Sequence, residues 1–491
     1  MVKSLWLNLR FPKLALNIAQ RGLSPAQAKI TTIAIIEKQR IFQVSEHTEL
    51  LGLQAGMSLS SAWALLPSLS TVEREPKREQ RAMTYLANWA YQFTPSVSHG
   101  GDRNLLLEVG GSLRLFQGLE ALLQQVADGL RNLGFCYELG LAHTPAAAEL
   151  LPYHPSRSAE PQECIQALRA QPLATLTHNE NFSKNLQKKL QRVGIATLGE
   201  LFDLPKASIA QRFGKDFVLH LQQLCGHSPD LRPSLTPKPE FASELHFLTG
   251  LSTIDMIRLP LTQLLQELQE FLIQRQLACG NLRWRFFHYS QQASILDIDL
   301  SRPQQSWENF FKLSEIKLGQ ISLDSAVESV QLYTRQLSQA RSENQGLFKE
   351  LSDNQSQDAS LLIDKLTSRL GAERLYKLQI HDENLPELQQ KRVPAGSKCR
   401  EQNSMIEHMN PQHTQIPLWL CEQAQALSLR NNKLQYQGEL DIVSSAKRFD
   451  SHWWQQRQQR DYFIARHAHG AHYWVYFDYI NQRWFLQGIY G

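Results

Sequence analysis

The spacing of apolar positions changes repeatedly along the chain. Residues 4 to 9 (Ser-Leu-Trp-Leu-Asn-Leu), 31 to 36 (Thr-Thr-Ile-Ala-Ile-Ile) and 105 to 109 (Leu-Leu-Leu-Glu-Val) are short runs rich in apolar or β-branched residues, as strands require. Residues 58 to 66, 117 to 132 and 144 to 151 carry helical spacing instead. The first half therefore mixes both element types, α/β or α+β, and α+β is the fold class expected for the whole chain. No period of solenoid length is evident, so a stack of identical units is not expected.

Pro233, Pro237 and Pro239 mark a linker, because closely spaced prolines cannot continue a helix. Past it the spacing predicts a strand (241 to 247), a helix (257 to 277), strands at 281 to 288 and 294 to 300, a helix (305 to 318) and a strand (327 to 335). That β-α-β-β-α-β order suits helices covering one face of a four-stranded sheet. In Leu282-Arg283-Trp284-Arg285-Phe286, alternation puts both arginines on one face and the apolar side chains on the other. The basic face either follows a phosphate backbone or is simply solvated. Asp297 and Asp299 alternate with apolar neighbours and are expected in solvent. After Ala340 the chain turns polar, apart from a short helix with Leu362, Leu366 and Leu370 on one side and Gly371 as its stop. Residues 380 to 414 are expected to be a flexible tether.

A length of 491 residues implies roughly three to four structural units at about 150 residues each. The six cysteines are far apart with no Cys-x-x-Cys pair, which supports neither a disulfide framework nor a cysteine zinc site. The longest uncharged stretch, 82 to 101, holds too many amides and hydroxyls to span a bilayer, and the N-terminus lacks a secretory apolar core. A cytoplasmic location is expected. Net charge decides little, but its distribution does: residues 181 to 235 hold eight lysines and arginines against four acids, a surplus equal to the +4 of the whole chain. The surplus surrounds Arg192-Val193-Gly194-Ile195-Ala196-Thr197, read as helix, glycine turn and helix. Its amides and cations either hold a DNA phosphate or belong to a solvated hairpin.

Gly52-Leu53-Gln54-Ala55-Gly56-Met57-Ser58 with Ala62 and Leu65-Leu66-Pro67, then Gly140-Leu141-Ala142-His143-Thr144-Pro145 with Ala147-Ala148, then the hairpin at 192 to 201 resemble, in order, segments of the Y-family translesion DNA polymerases. The resemblance implies palm and fingers over 1–165, a helical DNA-binding thumb over 166–236, a little finger over 240–350, a partly disordered linker over 351–414, and a clamp-binding motif with an aromatic β-rich module over 415–491. It further implies DNA contacts from Lys188, Lys189, Arg192, Gly194, Thr197, Arg283 and Arg285.

The chemistry of that family needs two divalent ions held by carboxylates. Asn8 and Arg10 occupy the places of its first-strand acids, and Arg103 and Asn104 those of its second acidic pair, with only Asp102 nearby. An arginine about 4 Å from a divalent ion meets roughly 8 kcal/mol of repulsion at an effective dielectric of about 20. Glu46 and Glu49 stand where the family grips triphosphate with a tyrosine and an arginine, and the lysine expected after 145 is missing, with Glu149 the only charge there. No catalytic residue, metal or cofactor is therefore expected. The rival reading is an active Y-family polymerase whose ligands align elsewhere.

Gln415-Ile416-Pro417-Leu418-Trp419-Leu420 resembles the bacterial sliding-clamp motif, with Gln415 as polar reader and Leu418, Trp419 and Leu420 as the apolar part. With the aromatic tail, it makes the chain similar to the non-catalytic ImuB branch of the family. That resemblance implies a hub in damage-induced (SOS) mutagenic translesion synthesis, with DNA, the β sliding clamp, an error-prone C-family polymerase and the RecA-like ImuA as partners. A structural DNA-binding repair factor that never meets the clamp is the third reading. His467, His469 and His472 have no accompanying ligand and are expected as exposed strand-turn residues.

Overall fold

In the computed structural model, Leu7 and Leu9 lie on β1 (Trp6–Arg10), an interior strand of an antiparallel sheet ordered β5 (Val97–His99), β6 (Asn104–Glu108), β1, β7 (Glu138–Ala142). The structure describes residues 4–101, 103–178, 190, 192, 194–236, 240–289, 293–321, 325–340, 351–380, 390–396, 417, 419–451 and 458–490. It divides into two units, 1–355 and 356–491.

Period-two alternation decides what the first sheet buries. Leu7, Leu9, Leu105 and Leu107 pack against Leu86 and Trp89 of α5 (Pro76–Ala90) and Leu122 and Val126 of α6 (Leu119–Asn132). Full burial of each such leucine contributes about 1.5–3 kcal/mol. The other face carries Asn8 and Leu106 and is covered by α7 (Pro145–Leu150). That helix lies so close that a Cβ on Gly140 would come within 2.0 Å of the Ala148 carbonyl oxygen. After β1 come α1 (Leu14–Gln20) and α2 (Pro25–Ile30). A small sheet follows, ordered β3 (Arg40–Val44), β2 (Ile33–Glu37), β4 (Ser70–Glu73), with α3 (Glu46–Leu50) and α4 (Leu59–Leu65) N-capped by Ser45 and Ser58.

Among the described residues of 161–224 lie short helices, α8 (Pro161–Arg169), α9 (Leu198–Phe202), α10 (Lys206–Phe213) and α11 (Lys215–Leu224), sharing a core with α7. The proline-rich stretch then runs along the first sheet: Ser234 bridges to Ser98 on β5, and the Leu235 amide donates to the Val97 carbonyl at 2.8 Å.

The β-α-β-β-α-β order holds as β8 (Phe241–Leu251), α12 (Ile254–Gln274), β9 (Leu277–His288), β10 (Ala293–Gln304), α13 (Trp307–Leu318) and β11 (Val327–Thr334). The strands are ordered β10-β9-β11-β8, and a short β12 (Leu337–Gln339) pairs with β9. Leu282, Trp284 and Phe286 are buried beneath the helices, and Trp284 Nε1 donates to Ser314 Oγ at 3.0 Å.

The second unit contains most of α14 (Leu351–Leu370), a hairpin of β13 (Tyr376–Ile380) and β14 (Gln390–Pro394), and a β-barrel. The hairpin differs from the featureless tether expected from composition. Backbone pairing needs no apolar side chains, and Arg392 stacks on Tyr376 at 4.7 Å. The barrel is made of β15 (Trp419–Arg430), β16 (Lys433–Gln435), β17 (Glu439–Ile442), β18 (Lys447–Ser451), β19 (Gln458–His467), β20 (His472–Asp478) and β21 (Arg483–Ile489). It closes because β21 pairs with β15 while β17 pairs with β19. Leu434, Leu440, Ala465, Val475 and Leu486 form one core. Their strand neighbours Tyr462, Trp474 and Tyr476 form a second cluster. His467 is a correction: the expected exposed histidine is buried, because alternation places it with Ala465 beside Gly438, where a Cβ would come within 2.4 Å of its Nε2.

Candidate functional site

The positions singled out in the first sheet lie together. Register pairs Arg10 with Asn104 and places Asn8 between Leu106 and Gly140 on one face. Asn8 is buried, and among the described residues its Oδ1 has no hydrogen-bond partner, a cost of roughly 1–3 kcal/mol for a neutral amide. Arg10 reaches Glu138 on the adjacent strand at 3.4 Å. Asp102 lies outside the described residues.

Arg103 turns toward the small sheet. Its Nε lies 3.2 Å from Glu79 of α5, whose other oxygen is 2.5 Å from Arg74 Nε. Arg74 also meets Glu37 at 2.9 Å. Both guanidinium groups face the Phe42 ring, Arg74 at 4.2 Å and Arg103 at 5.1 Å from its centroid. Hydrogen bonding to Glu79 raises Arg74 above its ordinary range against the opposing effect of burial. Gln43, next to Phe42, accepts from the Leu16 amide at 3.1 Å and donates to the Pro12 carbonyl at 2.7 Å. The turn between β1 and α1 is thus stitched to the small sheet by an amide. Glu46 sits 3.9 Å from Lys13.

At the other end, Glu149 pairs with Arg232 at 3.3 Å, and Arg232 pairs with Asp230 at 2.8 Å. Asp230 also accepts from the Ala146 amide at 3.1 Å. Burial pushes the Glu149 carboxyl up, and Arg232 pulls it back. Arg10, Arg74, Arg103 and Arg232 each have a carboxylate from this chain. Among the described residues no cluster of three or more histidine, cysteine or acidic side chains is placed to hold a metal ion.

The helical hairpin departs from its expectation in one respect. Gly194 adopts φ +85°, which supplies the turn, and Thr197 caps α9 by accepting from the Glu200 amide. Glu200 Oε2 in turn accepts from the Ala196 amide at 2.7 Å and the Thr197 amide at 3.4 Å. The amides that looked available to a phosphate already hold an internal carboxylate. Arg192 is exposed, while Lys188 and Lys189 lie outside the described residues.

On the outer face of β9, Arg283 forms a two-pronged pair with Asp297 at 2.6 and 3.0 Å, so Asp297 is a partner rather than merely solvated. Arg285 stands 5.7 Å from the Tyr333 ring and 3.5 Å from Gln331 Oε1. In the barrel, Trp419 is 69% exposed at the start of β15, opposite Ile489. Leu420, opposite Gly488, packs on the Tyr462 cluster, and Pro417 is buried over Gly488, where a Cβ would meet its Cγ at 2.5 Å. Gln415 and Leu418 lie outside the described residues, as do Trp453 and Trp454.

Phe42, Gln43, Arg74 and Glu79 carry no sequence signal, and Arg232 appears in the sequence only as part of the basic surplus at 181 to 235. No local pattern marks them, since Arg74 and Arg103 converge on Glu79 only after folding.

Residues 20–152 match the impB/mucB/samB family. Protein ImuB of Caulobacter vibrioides, in strain NA1000 / CB15N and equally in strain ATCC 19089 / CIP 103742 / CB 15, is 25% identical over 343 residues, 69% of this chain and 73% of that protein. A solved Y-family DNA polymerase chimera of Dbh and Dpo4 covers 67% of this chain and 98% of its own at 14% identity and a TM-score of 0.37. A Dbh ternary complex gives 13% identity and 0.36 at the same coverage. No helix among the described residues is long and apolar enough to cross a membrane. With the family match covering residues 20–152, from the end of α1 past α7, and the ImuB proteins matching over two thirds of the length, the chain is similar to ImuB proteins and, over that segment, to the impB/mucB/samB family.

Proposed function

We propose that the chain is a catalytically inactive polymerase-like protein that binds DNA and the β sliding clamp as a hub in damage-induced mutagenic translesion synthesis. The observation that carries the first part is the charge pairing around β1. Amides and arginines occupy the expected ligand positions, and the nearby carboxylates Glu79, Glu149 and Asp230 already hold Arg74, Arg103 and Arg232. A magnesium ion would have to displace a fixed guanidinium to reach any of them. Residues 1–165 act as palm and fingers without chemistry, 166–236 as thumb and 240–350 as little finger, with Arg192 and Arg285 reaching phosphates.

Clamp docking draws support from Trp419, a large aromatic exposed at the edge of the barrel, as an anchor for an apolar pocket requires. Clamp and DNA contacts together raise the local concentration of the complex, so modest affinities suffice. The C-family polymerase and ImuA complete the assembly, which operates in the cytoplasm. Primer extension by the purified chain with magnesium tests inactivity: incorporation at background is expected, and robust incorporation refutes it. Replacing Gln415, Leu418 and Trp419 by alanine is expected to abolish clamp binding while DNA affinity persists.

A further inference from the structure

A buried polar network of the first unit lies away from the β1 cleft, where residues 241–339 meet α1 and α5. Arg21, at the C-terminal end of α1, donates to Glu267 of α12 at 2.5 Å, and their side chains are only 6% and 7% exposed. The second Glu267 oxygen accepts from Tyr85 Oη of α5 at 2.9 Å and from Ser243 Oγ of β8 at 2.6 Å. Arg21 Nη1 also donates to the Glu244 carbonyl at 3.4 Å, and its guanidinium lies 5.1 Å from the Phe135 ring. One carboxylate therefore ties four elements together.

Further contacts keep the seam shut. Gly22 follows Arg21, and a Cβ there would come within 1.9 Å of the His246 carbonyl oxygen, so the backbones are in contact. Around the buried pair, Arg81 meets Glu244 at 2.8 Å, and Arg275 donates to the Asn88 carbonyl at 2.6 Å. Burial, reinforced by Glu267, pushes the Tyr85 phenol well above its ordinary value, so it remains a donor. Burial alone would lower Arg21, but Glu267 and Tyr85 outweigh it and leave the guanidinium held above its ordinary range.

Domains joined by a linker move relative to one another unless their interface is large and apolar. Here a swing about residues 236–240 would strip Glu267 of two donors at once, Arg21 and Tyr85, and leave two buried charges unpaired. We propose that residues 4–236 and 241–339 behave as one rigid body locked by Glu267. The outer face of β9 then stands at a fixed distance from the β1 cleft, and DNA meets a preformed surface instead of a closing domain. The DNA half of this statement depends on the function proposed above; the rigidity does not.

Hydrogen exchange on the full chain, free and with a primer–template duplex, tests both halves. Amides of β8 and α5 along the seam are expected to exchange no faster than those at the centre of β9, and to stay unchanged when duplex is added. Seam exchange about ten-fold faster than the β9 centre, or accelerated by duplex, overturns the proposal. Absence of any duplex binding defeats the DNA reading, while the free-protein result still judges the lock. Glu267→Gln keeps the shape but loses the charge pairing. It is expected to speed seam exchange at least about ten-fold with the β9 centre unaffected, and an unchanged seam overturns the lock. Gly22→Ala separates the same surfaces without touching the ion pair and should reproduce the effect; should Glu267→Gln not fold, this variant and the wild-type comparison decide.

Discussion

Arg21 and Arg283 each meet one carboxylate, at 2.5 and 2.6 Å, yet the two pairs differ in everything that follows. The Arg21 and Glu267 side chains are almost fully buried and share the carboxylate with Tyr85 and Ser243, whereas Arg283 and Asp297 are 41% and 46% exposed on an open sheet. Distance is the same; surroundings are not. Away from water neither partner of the buried pair can be removed alone without stranding the other charge. On the open sheet, water and salt replace either partner at little cost, and such pairs contribute about 0–1 kcal/mol. The first pair acts as a structural joint. The second lies on a surface where, on the function proposed above, a phosphate can take the place of the carboxylate.

The largest expected effect breaks the buried side of the comparison. Glu267→Ala should destabilise the first unit by about 3–5 kcal/mol, read as a lowered urea midpoint, because Arg21 is left buried and unpaired. A loss below about 1 kcal/mol would place this pair with the exposed ones. Next, Arg283→Ala should weaken DNA binding a few-fold and shallow its salt dependence by about one phosphate contact, with folding stability within about 1 kcal/mol, as measured by binding titrations at several salt concentrations.

An asymmetric pair in the barrel sharpens the contrast: Asp461 is buried, but its partner Arg448 is largely exposed, joined at 2.8 Å with Tyr479 donating to the same carboxylate. Hydrogen bonding to Arg448 holds Asp461 below its ordinary range against the opposing effect of burial. A depressed folded-state value means the unfolded chain takes up the proton first. The stabilisation is thus complete above the ordinary aspartate range near about 4 and fades as pH falls from there toward the lower folded value. Tyrosine or tryptophan fluorescence of the barrel should show an acid transition in that window, and Asp461→Asn should remove the pH dependence that this carboxylate contributes. The smallest expected effect is none. Restoring acids at Asn8, Arg103 and Asn104 together should still give no primer extension with magnesium, because Arg74 holds Glu79, Arg232 holds Glu149 and Asp230, and Glu46 and Glu49 repel triphosphate.

How much of this was legible varied with sequence separation. The β-α-β-β-α-β order past Phe241 and the sidedness of Arg283 and Arg285 followed from alternation over a few residues, and both hold. The capping of α9 was half legible: Thr197 and Glu200 form a pattern three residues apart, yet its consequence, amides already occupied by Glu200, went unread. Leu420 was grouped with a free motif, whereas strand pairing with Gly488 packs it on the Tyr462 cluster.

Local order therefore decided which segments are strands, helices and turns, and which side chains could be ligands at all: Asn8 and Arg10 are what they are before any folding. Tertiary structure alone decided who neutralises whom. Arg21 and Glu267 are 246 positions apart, and Arg103 finds Glu79 and Phe42 only once two sheets have been placed side by side. The reason is physical: periodicity is a property of neighbouring residues, whereas the strength of a charge pair depends on how much water the rest of the chain excludes from it.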